Sequence, residues 1–178
     1  ARLGWRVFTC YPRGKKPMGL CNSQDVETGA FCDARLPARD KHTKESTCKK
    51  CGTVHAEKMG LYAATTDEAT ITRWWTVEPK ANIGIRTGDG LLFLDVDVPD
   101  VDEGKLDDGE ASLAALIAAH EPLPLTPCQQ TGQKKQVDGT MRRGRQYAFS
   151  VEGEYRNTAS GIGAGLDTRG DGGYVVAH

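Results

Sequence analysis

The stretch Leu91-Leu92-Phe93-Leu94-Asp95-Val96-Asp97 decides the fold prediction. Its first four residues form a continuous apolar run, which is typical of a strand that is buried on both faces. Two aspartates follow, separated by one valine. Because residues two apart on a strand point to the same face, we expect Asp95 and Asp97 to leave one side of the strand end while Val96 enters the core.

Two carboxylates at this spacing repel each other unless a cation lies between them. Hard divalent ions prefer oxygen ligands, and Mg²⁺ commonly takes one or two carboxylates together with substrate phosphates. A solvated strand end gives the same pattern, so the pair alone is a weak signal. Asp167 is the best candidate for a third carboxylate, with Leu166 as its anchor in the core. Arg169 can bind phosphate oxygens in bidentate fashion, and we expect the glycines around it to let a phosphate approach the backbone.

Further elements can be predicted on both sides of this stretch. Thr65 and Glu68 have the spacing of a capping box at the start of a helix, which Pro79 ends. A second helix is expected from about Glu110 to His120, with its apolar side chains turned inward. Other strands are expected near residues 4–10, 82–86, 125–130, 146–151 and 173–177. Strands that alternate irregularly with two helices indicate an α+β or α/β class.

The composition is that of a globular protein. Of the 178 residues, 38% are apolar and 26% are charged, which argues against disorder. The length suits one domain and is marginal for two. Apolar runs fall well short of the roughly 18 residues that span a bilayer, so no membrane partner is expected.

The net charge of −1 does not indicate nucleic-acid binding, but the charge is unevenly distributed. Residues 95–110 contain eight acidic residues, and residues 134–145 contain five basic ones. Separated acidic and basic segments suit a site where metal ions meet a polyanion. Two solvated loops of opposite sign are the alternative interpretation.

Six cysteines are present, and four of them lie between residues 20 and 58, a segment with almost no aliphatic periodicity. Cys48-Lys49-Lys50-Cys51-Gly52 has the spacing of a zinc knuckle. Cys21 and Cys32 are the best candidates for the remaining two ligands, although His42 or His55 can replace one cysteine. Disulfides or free thiols remain the alternative. Cys10 and Cys128 are expected to be buried as small hydrophobic residues.

Several motifs together resemble those of one family. They are Gly4-Trp5-Arg6-Val7-Phe8, Pro12-Arg13-Gly14-Lys15-Lys16-Pro17, Ala64-Thr65-Thr66-Asp67, Ile71-Thr72-Arg73-Trp74-Trp75, Ala81-Asn82-Ile83-Gly84-Ile85-Arg86-Thr87-Gly88, Leu94-Asp95-Val96-Asp97 and the stretch from Leu166 to Ala177. The chain thereby resembles the bifunctional primase/polymerase (prim-pol) domain of the archaeo-eukaryotic primase superfamily. The resemblance covers most of the chain outside residues 20–58 and 133–143.

The resemblance implies an α+β catalytic domain with a primase-like core and an RRM-like sheet. We therefore expect a single domain over residues 1–178, and the cysteine pattern adds the expectation of a zinc-binding insertion at 20–58 within it. It implies template-directed synthesis from nucleoside triphosphates with Mg²⁺ or Mn²⁺, on a single-stranded DNA template and a primer. Such domains occur in replication proteins of phages and plasmids, often fused to a helicase, which places this chain in the host cytoplasm. Asp95 and Asp97 match the family's first acidic motif, and Asp167 matches its third.

The second motif departs from the family pattern. Gln146 stands where the family usually has a histidine that contacts the incoming triphosphate. A glutamine can donate a hydrogen bond but cannot carry a charge, so Arg145 or Arg143 is expected to compensate. The basic stretch from Lys134 to Arg143 resembles an insertion that either holds template phosphates or is a disordered loop. Two other functions stay open: a zinc-containing nucleic-acid-binding module with a degenerate active site, and a metal-dependent phosphodiesterase.

Overall fold

The computed structural model of the chain describes residues 3–21, 23–28, 30, 32–37, 45–55 and 60–177. It is a mixed α/β structure, as predicted, and its sheets are antiparallel. The chain forms two compact units, Ala1–Arg86 and Thr87–His178. The division into one catalytic domain with an insertion at 20–58 stays a prediction. None of the described helices is both long enough and apolar enough to cross a membrane.

In the part of the first unit that the structure describes, there are two short antiparallel strand pairs and one α-helix. Strand β1 (Val7–Cys10) pairs with β4 (Asn82–Arg86), so that Val7 lies opposite Ile85. Gly84 lies against the ring of Phe8, and a Cβ atom there would come within 2.4 Å of the ring. Strands β2 (Ser46–Thr47) and β3 (Val54–His55) form a small hairpin within the predicted insertion. A 3-10 helix (Gly60–Ala63) precedes helix α1 (Glu68–Val77).

Helix α1 begins differently from the prediction. Asp67 caps it, since its carboxylate accepts a hydrogen bond from the Thr70 amide at 2.8 Å. Thr65 instead exchanges two backbone hydrogen bonds with Val7. The capping-box assignment was therefore wrong, because the extended backbone at Thr65 is held by β1 before the helix starts. Trp74 of this helix is buried.

The elements of the second unit are β5 (Leu91–Val96), α2 (Gly109–Ala119), β6 (Cys128–Lys135), β7 (Met141–Ser150), β8 (Leu166–Arg169) and β9 (Tyr174–Val176). Four of these strands form an antiparallel sheet in the order β6-β7-β5-β8. Leu94, Val96 and Leu166 pack with Leu113 of α2, and all four are buried. The apolar run therefore forms the predicted buried strand, and α2 covers one face of the sheet.

The segment from 131 to 145 differs most from expectation. It continues strands β6 and β7 as a long hairpin, so it is not a loop. Its side chains are mostly polar on both faces, which leaves no apolar alternation from which a strand can be predicted. Strand β8 also escaped prediction, because only Leu166 of its four residues is apolar. Cys10 is buried as predicted, whereas Cys128 is exposed because it lies at the outer strand β6, so its assignment to the core was wrong.

Candidate functional site

Four polar side chains lie in one row across the sheet of the second unit. Gln129 pairs with Gln146, Gln146 pairs with Asp95, and Asp95 pairs with Asp167 in successive strands. Residues directly opposite each other in an antiparallel sheet share a face. Their neighbours Val96 and Leu166 point to the other face, into the core beneath α2. Register thus brings two of the predicted carboxylates and the predicted triphosphate contact together, although they are far apart in the chain.

Gln146 and Asp95 are both buried, with exposed fractions of 5% and 9%. The side-chain amide of Gln129 donates one hydrogen bond to Gln146 Oε1 at 2.5 Å and another to the Val176 carbonyl at 3.0 Å. The carbonyl end of Gln146 is therefore engaged, and its Nε2 amide is the end that can donate to a phosphate oxygen. The sequence did not indicate a role for Gln129, because its partners Gln146 and Val176 lie far away in the chain.

Asp97 directly follows β5 and continues its ladder, since its backbone N–H donates to the Gly165 carbonyl at 2.9 Å. Its carboxylate accepts a hydrogen bond from Lys134 Nζ at 2.6 Å. The side chain of Lys134 is 16% exposed and that of Asp97 is 32% exposed, so this ion pair is partly shielded from water. Lys134 belongs to the basic stretch, but its partner could not be predicted from the sequence.

Asp167 is held by two donors. The Ser160 amide donates to Oδ1 at 2.9 Å, and Arg169 Nη2 donates to Oδ2 at 2.8 Å. Arg169 lies two residues further along β8 and therefore on the same face. The structure therefore places Arg169 beside the row, where it is hydrogen bonded to the Asp167 carboxylate.

Arg145 and Arg143 are not brought to the row. The Arg145 side chain lies on the other face of β7, where its guanidinium donates two hydrogen bonds to the Glu110 carboxylate of α2. This pairing raises the pKa of Arg145, and the guanidinium also lies 5.8 Å from the centre of the Tyr147 ring. Arg143 donates to the Thr131 carbonyl at 2.9 Å. Either arginine would have to give up these contacts before it could supply the positive charge that Gln146 lacks.

The acidic and basic segments contact each other. Lys134 pairs with Asp97, Arg142 with Asp108 and Arg145 with Glu110. The Val101 amide also donates to the Lys135 carbonyl at 3.0 Å. Much of the charge asymmetry in the sequence is therefore neutralised inside the unit.

The glycines after Arg169 serve contacts within the chain. A Cβ atom at Gly170 would lie 1.9 Å from the Tyr155 carbonyl oxygen, and one at Gly173 would lie 2.1 Å from Asn157 Oδ1. Asn157 Oδ1 accepts from the Gly170 amide at 3.0 Å, and its Nδ2 donates to the Asp171 carbonyl. These two positions accommodate the neighbouring segment 155–157, and not the phosphate expected there.

The first unit contains a cluster of four thiols, Cys21, Cys32, Cys48 and Cys51, whose sulfur atoms all lie within 4.8 Å of one another. The Cys21–Cys51 and Cys32–Cys48 sulfur pairs are each 3.7 Å apart. Four thiolates around one tetrahedral zinc ion, with bonds of about 2.3 Å, have sulfur atoms roughly 3.8 Å apart. A disulfide requires about 2.05 Å. The cluster can therefore hold zinc, and these pairs are not disulfides in this structure.

Local backbone structure places the four thiols. Cys48 and Cys51 lie in the turn between β2 and β3, where the Gly52 amide donates to the Cys48 carbonyl at 2.9 Å and Gly52 has a φ of +73°. On the other side of the cluster, the Cys21 amide donates to the Ala34 carbonyl at 2.9 Å and the Cys32 amide to the Ser23 carbonyl at 2.9 Å. The described part of this segment thus folds around its cysteines, with Leu36 packed beside them.

The environments of the thiols differ. Burial raises the pKa of Cys32 to about 12 and also raises the pKa of Cys21. Hydrogen bonds with Ser23 and Thr53 lower the pKa of the exposed Cys51 to about 5. His55 Nε2 lies 3.2 Å from the Cys21 sulfur, which places it beside the cluster and not within the group of four. His42, the other alternative ligand, lies outside the described residues.

The carboxylates are less tightly grouped than the thiols. Among the described residues, only the four cysteines form a group of at least three possible metal ligands whose ligand atoms all lie within 4.8 Å of one another. Asp97 and Asp167 are each turned toward a basic residue. A donor set of three carboxylates fits hard divalent cations, provided that Asp97 and Asp167 exchange their present partners.

No curated protein and no solved structure matches the chain. A family model described as "Bifunctional DNA primase/polymerase, N-terminal" matches residues 1–178. The match spans both the segment with the four cysteines and the sheet with its row of polar residues. The chain therefore belongs to the bifunctional DNA primase/polymerase N-terminal family.

Proposed function

We propose that this chain is a template-directed DNA primase-polymerase domain that transfers nucleotides from nucleoside triphosphates to a 3′-hydroxyl by a two-metal reaction. Membership of the family supports a primase/polymerase type of activity. The observation that carries the proposal for this site is the register that aligns Gln146, Asp95 and Asp167 on one face of the sheet. Together with Asp97, this face offers three carboxylates beside a neutral hydrogen-bond donor.

In this proposal Asp95, Asp97 and Asp167 hold two Mg²⁺ or Mn²⁺ ions. When held there, such ions would supply activation of the attacking hydroxyl and stabilisation of the leaving pyrophosphate. The Nε2 amide of Gln146 donates to the triphosphate, and Gln129 keeps that amide oriented. Arg169 offers a guanidinium to the phosphates once Asp167 turns to a metal ion. Roles for Arg145 and Arg143 have less support, since both side chains are engaged elsewhere in the unit.

The insertion is proposed to bind a structural zinc ion through Cys21, Cys32, Cys48 and Cys51. A polar segment of this kind gains its order from the metal, because it lacks an adequate apolar core. Lys49 and Lys50 next to the thiols are exposed and suit contact with template or primer phosphates. The other lysines and arginines of the segment from 39 to 58, which are Arg39, Lys41, Lys44 and Lys58, lie outside the described residues. In the full protein we propose a helicase neighbour and a phage or plasmid origin, with function in the host cytoplasm.

One alternative has a specific observation in its favour. Gln146 is buried and hydrogen bonded to Gln129. Because its side chain is a neutral amide, it cannot supply a charged contact to the triphosphate. A nucleic-acid-binding module that has lost catalysis is consistent with this substitution. A metal-dependent phosphodiesterase would use the same carboxylates and is distinguished by its product.

A primer-extension assay separates these functions. The chain is incubated with a primed DNA template, labelled nucleotides and Mn²⁺, beside Asp95→Asn and the exposed control Asp107→Asn. Extension that is lost by at least about 100-fold in Asp95→Asn and kept in Asp107→Asn supports the polymerase. Template binding without synthesis favours the binding module, and metal-dependent shortening of the DNA favours the phosphodiesterase.

A further inference from the structure

Lys134 differs from the other basic residues of its hairpin in the partner that it contacts. Arg142 pairs with Asp108, and Arg145 pairs with Glu110, both carboxylates outside the predicted metal site. Lys134 Nζ instead lies 2.6 Å from Oδ1 of Asp97, a predicted metal ligand. Of the ion pairs that the described hairpin forms, this is the one that reaches into the site.

The backbone around Lys134 is fixed. The Gln136 side chain is buried and donates to the Pro99 carbonyl at 2.7 Å and to the Lys134 carbonyl at 3.1 Å. The Val101 amide donates to the Lys135 carbonyl at 3.0 Å. These bonds hold the strand beside the segment that follows Asp97. The ammonium can therefore change its partner by rotating its own flexible four-carbon stem, without any movement of the hairpin.

The charges of the site show why such an exchange is expected. Three carboxyl groups, those of Asp95, Asp97 and Asp167, are accompanied in the site by two basic side chains, Lys134 and Arg169. An ammonium and a divalent ion repel each other, so Lys134 must move from Asp97 when that carboxylate becomes a metal ligand. A nucleoside triphosphate that enters with the metal brings several negative charges to the same face. It is then the nearest new anionic partner for the released ammonium.

We propose that Lys134 neutralises Asp97 in the metal-free site and binds the triphosphate of the incoming nucleotide in the metal-loaded site. This inference rests on the proposed function and adds a residue to it. Lys134 thus competes with the metal ion for Asp97 and cooperates with it in nucleotide binding. The charged contact that Gln146 cannot make is supplied by a lysine on the neighbouring strand.

Binding measurements without template test the two halves of this role. Affinity for Mn²⁺ alone is measured by calorimetry, followed by affinity for dATP in saturating Mn²⁺. Lys134→Met should bind Mn²⁺ several-fold more tightly, because the competing cation is gone. It should bind dATP about tenfold more weakly, since a charge-assisted hydrogen bond is lost. Lys134→Arg retains a cation and should keep the dATP affinity within about threefold.

Lys135→Met is the matched control, because it removes an exposed lysine from the adjacent position while the backbone carbonyl that Val101 contacts is kept. Both of its affinities should equal those of the wild type. Thermal melting confirms that each variant is folded. If wild type binds Mn²⁺ and dATP but Lys134→Met changes neither constant, the inference is overturned while the proposed function stands. If wild type binds neither Mn²⁺ nor dATP, both are overturned.

Discussion

At the scale of single residues, Gln146 and its partner Gln129 determine what the second motif can do. Gln129 joins the side chain of Gln146 to the carbonyl of Val176 through one amide group. A buried polar side chain that is held in this way keeps a single orientation, because a rotation would leave its carbonyl without a donor. The pair therefore provides a neutral, oriented amide beside Asp95, with a hydrogen-bonding capacity that does not change between pH 6 and pH 8.

Replacement of Gln129 tests this interpretation. Gln129→Leu removes the donor to Gln146 and should lower the free energy of unfolding by about 1–3 kcal/mol, the cost of leaving a buried acceptor unsatisfied. We also expect weaker binding of dATP, because the Gln146 amide loses its orientation. Urea unfolding and calorimetry measure the two effects. Gln130→Leu, at the exposed neighbouring position, should change neither. Equal stabilities of the two variants would argue against an orienting role for Gln129.

At the scale of elements, helix α2 is attached to the sheet by charge as well as by its apolar side chains. Asp108 caps the helix by accepting from the Glu110 and Ala111 amides, and it also pairs with Arg142 of β7 at 2.9 Å. The Arg142 guanidinium lowers the pKa of Asp108. A carboxyl group whose pKa is lowered by folding stabilises the fold above its unfolded pKa, and this contribution is lost as the pH falls through the folded pKa.

Asp108→Asn separates the ion pair from the cap, because asparagine is also a good N-cap residue. Since the pair is partly exposed, we expect a loss of only about 0.5 kcal/mol in the free energy of unfolding at pH 7. The difference from wild type should vanish in acid, where the wild-type carboxyl is protonated as well. The free energy of unfolding is measured by urea unfolding over a pH series, with Asp107→Asn as the control. A difference that is independent of pH would show that the cap matters and the charge does not.

At the scale of the whole molecule, two separate metal-binding chemistries are proposed, one in each compact unit. The four thiols of the first unit suit a soft ligand set for zinc, whereas the three carboxylates of the second suit hard divalent ions. Zinc would order the insertion, and Mg²⁺ or Mn²⁺ would serve the reaction. The two functions should therefore be separable by mutation.

Cys48→Ala should abolish stoichiometric zinc binding, since one ligand of the tetrahedral set is lost. We expect weaker DNA binding or impaired primer initiation, because the basic residues next to the thiols lose their ordered positions. Zinc content is measured by mass spectrometry and initiation on a single-stranded template. Cys128→Ala removes an exposed thiol outside the cluster and should retain both zinc and initiation. Unchanged priming by folded Cys48→Ala would remove the insertion from the mechanism.

Much of the local structure could be predicted from the sequence, because it depends on residues that are close together in the chain. The apolar run before Asp95 and the inward residues of α2 follow directly from periodicity, and both were confirmed. Strand β6 was expected only as far as residue 130, and its continuation to Lys135 could not be predicted in the same way, since this outer part of the sheet is polar on both faces. The helix start at Asp67 was missed because two plausible caps lie close together, and the contact of Thr65 with β1 decides between them.

By itself, the sequence determined the mixed α/β class, the strand that carries Asp95 and the cysteine pattern, because each follows from local spacing. Only the tertiary structure decided which side chains meet. It aligned Gln146 with Asp95 and Asp167, paired Lys134 with Asp97 and turned Arg145 to Glu110. These contacts depend on strand register and on the packing of a helix over a sheet, between residues tens of positions apart. Local periodicity contains no information about register between distant strands, so the charged partners of the site became visible only in the folded chain.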